Sequence, residues 1–293
     1  MTSSLSSSNQ KVAVVTDSSS GIGFETSLTL ARSGFLTYVT MRNLGKGETI
    51  KSVAAEEGLP LRVAQLDVTE DRSINDAVHS IISDVGKIDV LVNNAGYGLN
   101  GAFEDLAMEE IKAQFETTLF GVMRVTQAVL PIMRKQKSGI IVNISAAGGR
   151  FGIPGASANV STKFAIEGLS ESMSYELELF GIKVVLIEPG LIKTNFVNNI
   201  VVTKKSQDPN SPYVQFMQDV ATSFQHMLEG GSSSDVVAKV VLEAVSSENP
   251  SLRYLAGKDM ETWMEAKTSM SDEEFHNMMK QNLMKQSTVK KRK

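Results

Sequence analysis

The chain has 293 residues, of which 42% are hydrophobic and 21% are charged, and its formal net charge is −4 at pH 7. This length and composition predict one domain with a substantial core, and the mildly acidic balance argues against nucleic-acid binding. The chain has no cysteine, which excludes disulfides and thiolate ligands, and we predict no metal site. No apolar run approaches the roughly 18 residues of a membrane span, and residues 1–10 lack the apolar segment of a secretory signal, so we expect a cytoplasmic protein.

Short β-rich apolar runs alternate with amphipathic stretches along most of the chain. The predicted strands cover residues 12–16, 36–41, 61–66, 90–92, 139–144, 183–188 and 253–255. The predicted helices cover residues 22–33, 45–57, 70–86, 107–136, 157–179 and 234–246. This alternation predicts repeated βαβ units, and therefore a single α/β domain over residues 10–258: a doubly wound parallel sheet of about seven strands with helices on both faces.

Three segments stand apart from this alternation. Residues 1–9 are predicted to be a flexible N-terminus. Residues 196–233 form a long polar insertion after a strand, which we interpret as a substrate lid, with surface decoration as the alternative. Residues 259–293 are predicted to be a helical extension ending in a basic tail. The methionines and Trp263 of this extension favour packing on the core or on a neighbouring subunit over a lipid-binding or partner-helix role.

A nucleotide-binding loop is predicted where the first strand ends at Thr16. The sequence SSSGIG follows at residues 18–23, and a helix begins there. Free N–H groups at a helix N-terminus bind phosphate, so a pyrophosphate is expected at this turn. The residues assigned to this loop are Ser18, Ser20, Gly21, Ile22 and Gly23.

Four segments of the sequence together resemble the short-chain dehydrogenase/reductase family over roughly residues 8–258. They are KVAVVTDSSSGIG at residues 11–23, NNAG at 93–96, KFAIEGL at 163–169 and PGLIKT at 189–194. The resemblance implies a Rossmann-type fold and a nicotinamide cofactor. It places Asp67 at the adenine, and Thr194 on the carboxamide of the nicotinamide. It also assigns support of the cofactor's inner face and the border of its nicotinamide end to Asn93, Ala95, Gly96, Pro189 and Gly190.

The cofactor's identity is read at the end of the second predicted strand. Met41 stands there in place of a carboxylate and Arg42 follows, which favours NADP(H) over NAD(H), although Arg42 could also be an exposed structural residue. Asp17 occupies the position of the family's first loop glycine. Strain of about 1–3 kcal/mol at positive φ, together with charge repulsion of about 1 kcal/mol, predicts weakened nucleotide binding. A harmless turn residue or a helix cap is the alternative reading of Asp17.

The residues of the family's chemistry are largely replaced. The family uses a tyrosine as acid and base, a lysine four residues later, a serine thirteen residues before the tyrosine, and an asparagine on a central helix. Only Lys163 is retained, because Asn159, Ala146 and Thr118 stand at the other three positions. The flanking residues keep the family pattern. We therefore predict an inactive or severely impaired catalytic site.

An alternative reading is an active NADP(H)-dependent carbonyl reductase or alcohol dehydrogenase with an unrecognised proton donor. Tyr97, directly after the NNAG segment, and a water molecule held by Lys163 are the candidates for that donor. In either reading the resemblance implies a lipophilic carbonyl or alcohol as substrate. It also implies a homodimer or homotetramer that pairs through the helical segments 111–135 and 157–179.

Overall fold

The computed structural model of the protein describes residues 10–194 and 200–283. The main strands are β1 (Val12–Val15), β2 (Leu36–Met41), β3 (Leu61–Gln65), β4 (Val90–Asn93), β6 (Gly139–Ile144), β7 (Ile182–Pro189) and β11 (Arg253–Ala256). They form one parallel sheet in the order β11-β7-β6-β4-β1-β2-β3. The predicted doubly wound sheet is thereby confirmed, and each strand ends within one residue of its predicted bounds.

Helices cover both faces of this sheet. They are α1 (Gly21–Arg32), α2 (Glu48–Glu57), α3 (Asp71–Val85), α4 (Met108–Phe115), α5 (Gly121–Gln136), α6 (Ser157–Glu178) and α8 (Ser234–Ser246). Successive residues of β1 point to opposite faces: Val12 and Val14 pack with α3 and α5, whereas Ala13 and Val15 pack with α1 and α8. Both faces are buried, and this explains the nearly continuous apolar strands.

The predicted helix over residues 107–136 is interrupted in the structure. Glu116–Phe120 form a π-helical turn between α4 and α5. At the end of this turn, a Cβ on Gly121 would lie 2.8 Å from Cγ2 of Val68, so the absence of a side chain allows a close approach. A π turn contains one more residue than an α turn, which changes the direction of the side chains around it. Thr118 lies within this turn.

The segment between β7 and α8 contains regular structure of its own. Two short strands of the segment, β9 (Val201–Val202) and β10 (Ser232–Ser233), pair with β5 (Leu99–Asn100) and β8 (Ile192–Lys193), and α7 (Val214–Glu229) lies between them. The polar insertion expected from the sequence is therefore mostly helical in its described part. Residues 196–199 of the predicted lid lie outside the described residues.

Two helices follow β11, α9 (Lys258–Ser269) and α10 (Asp272–Leu283). Their buried side chains pack around Phe151 of the same chain. Residues 1–9 and the basic tail at 290–293 lie outside the described residues. None of the helices in the described part of the chain is long and apolar enough to cross a membrane.

Candidate cofactor and substrate site

A cavity of about 250 Å³ opens beyond the carboxyl ends of β1, β4, β6 and β7. The order of strands reverses between β1 and β4, and ligands of doubly wound sheets bind at such a point. One part of the wall, which we call the nucleotide half, contains Ser20, Gly21, Ile22 and Asn94. The remainder contains Lys163 and Asn159, followed by an apolar chamber built from Phe151, Ile153, Phe224, Met227, Leu228, Trp263 and Met279.

Glycine is required at two positions of the loop before α1. Gly21 has a φ of +61°, which side chains rarely adopt. At Gly23 a Cβ would lie 2.5 Å from Nδ2 of Asn94 and 2.6 Å from the carbonyl oxygen of Asp17. The backbone of α1 therefore starts against the end of β4, and its first residues, Gly21 and Ile22, line the cavity. This arrangement fits a pyrophosphate at the helix N-terminus.

Asp17 is the departure within this half. Its φ is +51°, in the left-handed region that favours glycine, and its carbonyl oxygen accepts a hydrogen bond from Nδ2 of Asn94 at 3.1 Å. More than a third of its surface is exposed to solvent, and the residue also lines the cavity. Desolvation there raises the pKa of the Asp17 carboxyl, and the charges of Arg42 and Lys46 oppose this rise. From the sequence we expect backbone strain at Asp17 if its φ is positive, and its φ is positive.

The ends of β1 and β4 are tied together by Thr16. Its Oγ1 accepts hydrogen bonds from the backbone N–H groups of Asn94 at 2.9 Å and Ala95 at 3.0 Å. The side chain of Asn94 adds a further bond, from its Nδ2 to the Thr16 carbonyl oxygen at 2.9 Å. Asn94 lines the cavity and was not assigned by sequence reasoning, although it belongs to the NNAG segment. Its neighbour Asn93 received the assignment instead.

Asn93 lies in the core rather than in the cavity wall. Its Nδ2 donates to Oγ1 of Thr126 at 3.0 Å and to Oδ1 of Asn143 at 2.8 Å, and Asn143 donates to Oγ of Ser170 at 2.8 Å. All four residues are buried. The network joins β4 and β6 to α5 and α6, so Asn93 supports the site from behind.

Eight of the residues predicted to bind the cofactor lie in the cavity wall, and six do not. Ser18 is buried and donates its hydroxyl to the Val15 carbonyl at 2.9 Å. Asp67 accepts from the N–H and the hydroxyl of Thr69, and Arg42 is exposed at the end of β2. The residues in the wall are Ser20, Gly21, Ile22, Gly96, Lys163, Pro189, Gly190 and Thr194. Those outside it are Ser18, Gly23, Arg42, Asp67, Asn93 and Ala95.

Lys163 extends from α6 into the cavity wall. Its Nζ donates to the carbonyl oxygen of Ile144 at 2.8 Å, at the end of β6. Desolvation lowers the pKa of the Lys163 ammonium to about 8, although the charge of Glu167 one turn later acts in the opposite direction. A fraction of the Lys163 side chain is therefore in the neutral amine form near physiological pH.

Asn159 lies one helical turn before Lys163 and also lines the cavity. Its Oδ1 is buried and has no hydrogen-bond partner among the described residues. A carboxamide does not exchange a proton usefully near neutral pH. The turn of α6 from Asn159 to Lys163 thus presents an amide and an amine to the cavity, and neither residue carries a phenol or a carboxyl group.

Ala146 follows β6 in the cavity wall and supplies only a methyl group. The hydroxyl of its neighbour Ser145 is buried without a partner in the described chain. A Cβ on Gly149 would lie 2.5 Å from Ser145 Oγ and 3.1 Å from Oε1 of Glu167, so this hydroxyl is directed towards Gly149 and Glu167, although Ser145 itself is part of the cavity wall. Ser145 therefore does not replace a hydroxyl at position 146, as expected from the alternation of strand side chains.

Thr118 lies behind the wall formed by Gly96. It is buried, and its Oγ1 accepts from Nε2 of Gln114 at 2.7 Å. The same Nε2 donates to the carbonyl oxygen of Tyr97 at 3.0 Å. Tyr97 lines the cavity, and burial together with the charge of Glu110 raises the pKa of its phenol. The phenol of Tyr97 is thus a weaker acid than that of free tyrosine.

A charged cluster lies beneath the site and was missed by sequence reasoning. Arg150 donates to Glu188 at 2.8 Å, and Arg253 donates to Glu167 at 3.0 Å and to Glu171 at 2.7 Å. Glu188 is fully buried directly before Pro189, and desolvation and the charge of Glu167 raise its pKa. Buried carboxylates require such partners. The members lie far apart in sequence, and no local pattern indicates that they meet.

The C-terminal extension closes the apolar chamber. Phe151 makes edge-to-face contacts with Trp263, at 5.6 Å between ring centroids, and with Phe275, at 5.4 Å. Met279 of α10 lines the cavity beside Trp263. The aromatic and methionine content of this segment was the available sequence signal, but it did not indicate a ligand cavity. Within the described chain, no group of three histidines or carboxylates could hold a metal ion.

The doubly wound sheet, the glycine turn at a helix N-terminus and the lysine beside an apolar chamber define an oxidoreductase scaffold of the dinucleotide-binding class. The sequence model of the short chain dehydrogenase family matches residues 11–205. A 3-ketodihydrosphingosine reductase of Bacteroides thetaiotaomicron is 34% identical, over 84% of this chain and 88% of its own length.

Solved structures give the same answer. A short-chain dehydrogenase from Streptomyces avermitilis is 31% identical with a TM-score of 0.79, over 94% of this chain and 97% of its own. ElxO, solved with NADP bound, is 26% identical with a TM-score of 0.71, over 84% of this chain and 97% of its own. The chain belongs to the short-chain dehydrogenase/reductase family.

Proposed function

We propose that this chain is a nicotinamide-nucleotide-binding scaffold of the family in which hydride transfer between ketones and alcohols is lost or severely impaired. The observation that carries the proposal is Asn159, whose carboxamide occupies the cavity wall one turn before Lys163. Reduction of a carbonyl needs a proton donor for the developing alkoxide and a hydrogen bond that holds the carbonyl oxygen. The Asn159 carboxamide cannot transfer a proton to the alkoxide, and Ala146 has no hydrogen-bond donor in its side chain.

The expected loss is large. A missing general acid costs about 10²–10⁴-fold in rate, and a missing donor to the oxyanion about 10²–10³-fold. Such losses do not multiply when the residues act as a unit, so either one alone sets the scale. Thr118 of the π turn, whose hydroxyl accepts a hydrogen bond from Gln114, adds a third departure at the position of the family's asparagine.

For the nucleotide, we propose NADP(H) in preference to NAD(H). Arg42 is exposed after β2 and, together with Lys46, acts electrostatically on Asp17, so two cations lie on the side where a 2′-phosphate is expected. NADP is bound in ElxO, a structural relative. Asp17 weakens the affinity through its strained backbone and its charge.

For the ligand of the remaining cavity, we propose a lipophilic carbonyl or alcohol. The chamber beyond Lys163 is walled by aromatic, leucine and methionine side chains from α7, α9 and α10. A relative of this chain is named for a long-chain ketone, 3-ketodihydrosphingosine. In this proposal α7 acts as the lid over that chamber.

We also propose a cytoplasmic homodimer or homotetramer. Phe120, Phe164, Tyr175 and Leu179, on or beside the helices expected to pair, are exposed apolar or aromatic side chains. Pairing through α4, α5 and α6 would cover them. A monomeric mass in solution at micromolar concentration would contradict this assembly.

Restoration of the acid tests the proposal. The variant Asn159→Tyr/Ala146→Ser should turn over aromatic and long-chain ketones with NADPH at least about 100-fold faster than this chain. The matched control is Asn159→Phe/Ala146→Ser, which fills the same space without the phenol and should remain inactive. Equal rates in the tyrosine and phenylalanine variants would overturn the proposal. If Tyr97→Phe in the unrestored chain abolished a residual activity, Tyr97 would be the donor instead.

A further inference from the structure

The first turn of α9 contacts the turn that follows β7. The carboxylate of Asp259 accepts a hydrogen bond from the backbone N–H of Leu191, with a distance of 2.6 Å to Oδ2. A Cβ on Gly190 would lie 2.2 Å from Oδ2 and 2.5 Å from Oδ1 of the same carboxylate. Glycine at position 190 thus provides the space that Asp259 fills.

A second glycine clears the other side of this carboxylate. Gly257 has a φ of +114°, and a Cβ there would lie 2.7 Å from Oδ1 of Asp259. Between the two glycines, the N–H of Gly190 donates to the carbonyl oxygen of Ala256 at 3.0 Å. The backbone before α9 and the backbone after β7 are therefore built around one side chain.

The turn held in this way belongs to the cavity. Gly190, Leu191, Ile192 and Thr194 all line it, and the carbonyl oxygen of Leu191 accepts from the N–H of Ser232 at 2.9 Å. At the far end of the turn, the Thr194 side chain lies 3.5 Å from the Cβ position of Gly21 in the nucleotide loop. Leu191 is thus fixed by Asp259 through its N–H and by β10 through its carbonyl group.

We propose that Asp259 is a positioning residue that fixes the Pro189-to-Thr194 turn for the nicotinamide end of the cofactor. The effect on the cofactor rests on the proposed function. The hydrogen bond by which Asp259 holds the turn, which we call the clamp, does not depend on it. A hydrogen bond to a carboxylate is stronger than one to a neutral acceptor, so the charge of Asp259 contributes to the order of the turn. Through the same helix, the clamp joins the turn to Trp263 in the wall of the chamber.

Amide hydrogen exchange tests the clamp without any cofactor. In Asp259→Ala, exchange at the Leu191 amide should accelerate at least about tenfold, and in Asp259→Asn less, because the amide oxygen still accepts a neutral hydrogen bond. Glu261→Ala is the matched control, since Glu261 is an exposed carboxylate in the same first turn of α9. It should leave the exchange of Leu191 unchanged.

Nucleotide affinity tests the consequence. NADPH should bind about tenfold more weakly to Asp259→Ala, whereas 2′,5′-ADP, which lacks the nicotinamide half, should bind as it does to the unaltered chain. A merely structural role would weaken both ligands equally or lower only the melting temperature. Asp259→Asn provides the same comparison if the alanine variant does not fold.

The outcomes separate the two proposals. Unchanged exchange at Leu191 in both Asp259 variants would overturn the clamp, and equal weakening of NADPH and 2′,5′-ADP would overturn its role at the nicotinamide end. If the unaltered chain binds neither nucleotide, the proposed function fails, and the exchange measurement still decides for or against the clamp.

Discussion

The nucleotide half of the cavity and its chemical half, by which we mean the wall around Ala146, Asn159 and Lys163, are built in different ways. The nucleotide half depends mainly on backbone: the N-terminus of α1, the glycines at 21 and 23, and the strand ends joined by Thr16. The chemical half depends on side chains projecting from regular structure, and Asn159 occupies an ordinary turn of α6. A site made of backbone keeps its shape when one side chain changes, whereas a site made of side chains can lose its chemistry while the fold stays intact.

The largest effect on this comparison is expected at Asp17. Replacement by glycine should tighten NADPH binding by roughly tenfold to several hundredfold, because both the strain at positive φ and the repulsion of phosphate are removed. Asp17→Asn is the matched control, since asparagine removes the charge, tolerates positive φ and should recover only part of the gain. Titration of nucleotide fluorescence gives both affinities. If the glycine variant bound no better than this chain, the nucleotide half would be limited by something other than Asp17.

The effect of pH on nucleotide binding should be smaller than the effect of replacing Asp17 by glycine. It should arise from the Asp17 carboxyl. The pKa of the Asp17 carboxyl is raised by desolvation, so its charge is lost at a higher pH than that of a free aspartate as the pH falls. Loss of the charge removes the repulsion, and binding should therefore tighten as the pH falls through that raised pKa. NAD⁺ is the suitable probe, because it lacks the 2′-phosphate that titrates in NADP⁺. The same pH profile in Asp17→Asn would rule out Asp17 as its source.

A third effect is expected at Lys163, and it concerns the stability of the fold rather than nucleotide affinity. Its folded-state pKa of about 8 lies below the ordinary value of 10.5, so between these values the unfolded chain binds more protons and stability rises with pH. The cost of the buried ammonium is thus fully present below pH 8. Lys163→Met should stabilise the protein at pH 7 by on the order of 1–3 kcal/mol, with the gain shrinking towards pH 10. Chemical denaturation of both proteins at the two pH values measures this, and a gain that did not change with pH would contradict it.

The sequence predicts some parts of this molecule and not others, for physical reasons. The seven strands follow from apolar runs between turn residues, which are local signals. The π turn at Glu116–Phe120 depends on how the backbone packs, as at Gly121 against Val68, and has no residue pattern of its own. The contact between Asp259 and Leu191 joins residues 68 positions apart, and the apolar chamber is assembled from three separate helices and the segment before α6. The residues at the family's motif positions could be assigned from the sequence. Contacts between residues far apart in the chain could not.

The central claim is that the nucleotide half still functions while the chemical half does not. Titration of this chain and of Asn159→Tyr/Ala146→Ser with NADPH and NADH tests it most directly. The account predicts micromolar binding of NADPH by both proteins, tighter than that of NADH, with ketone-dependent oxidation of NADPH only in the restored variant. No binding of either nucleotide up to millimolar concentration, or equal ketone-dependent oxidation by both proteins, would contradict it.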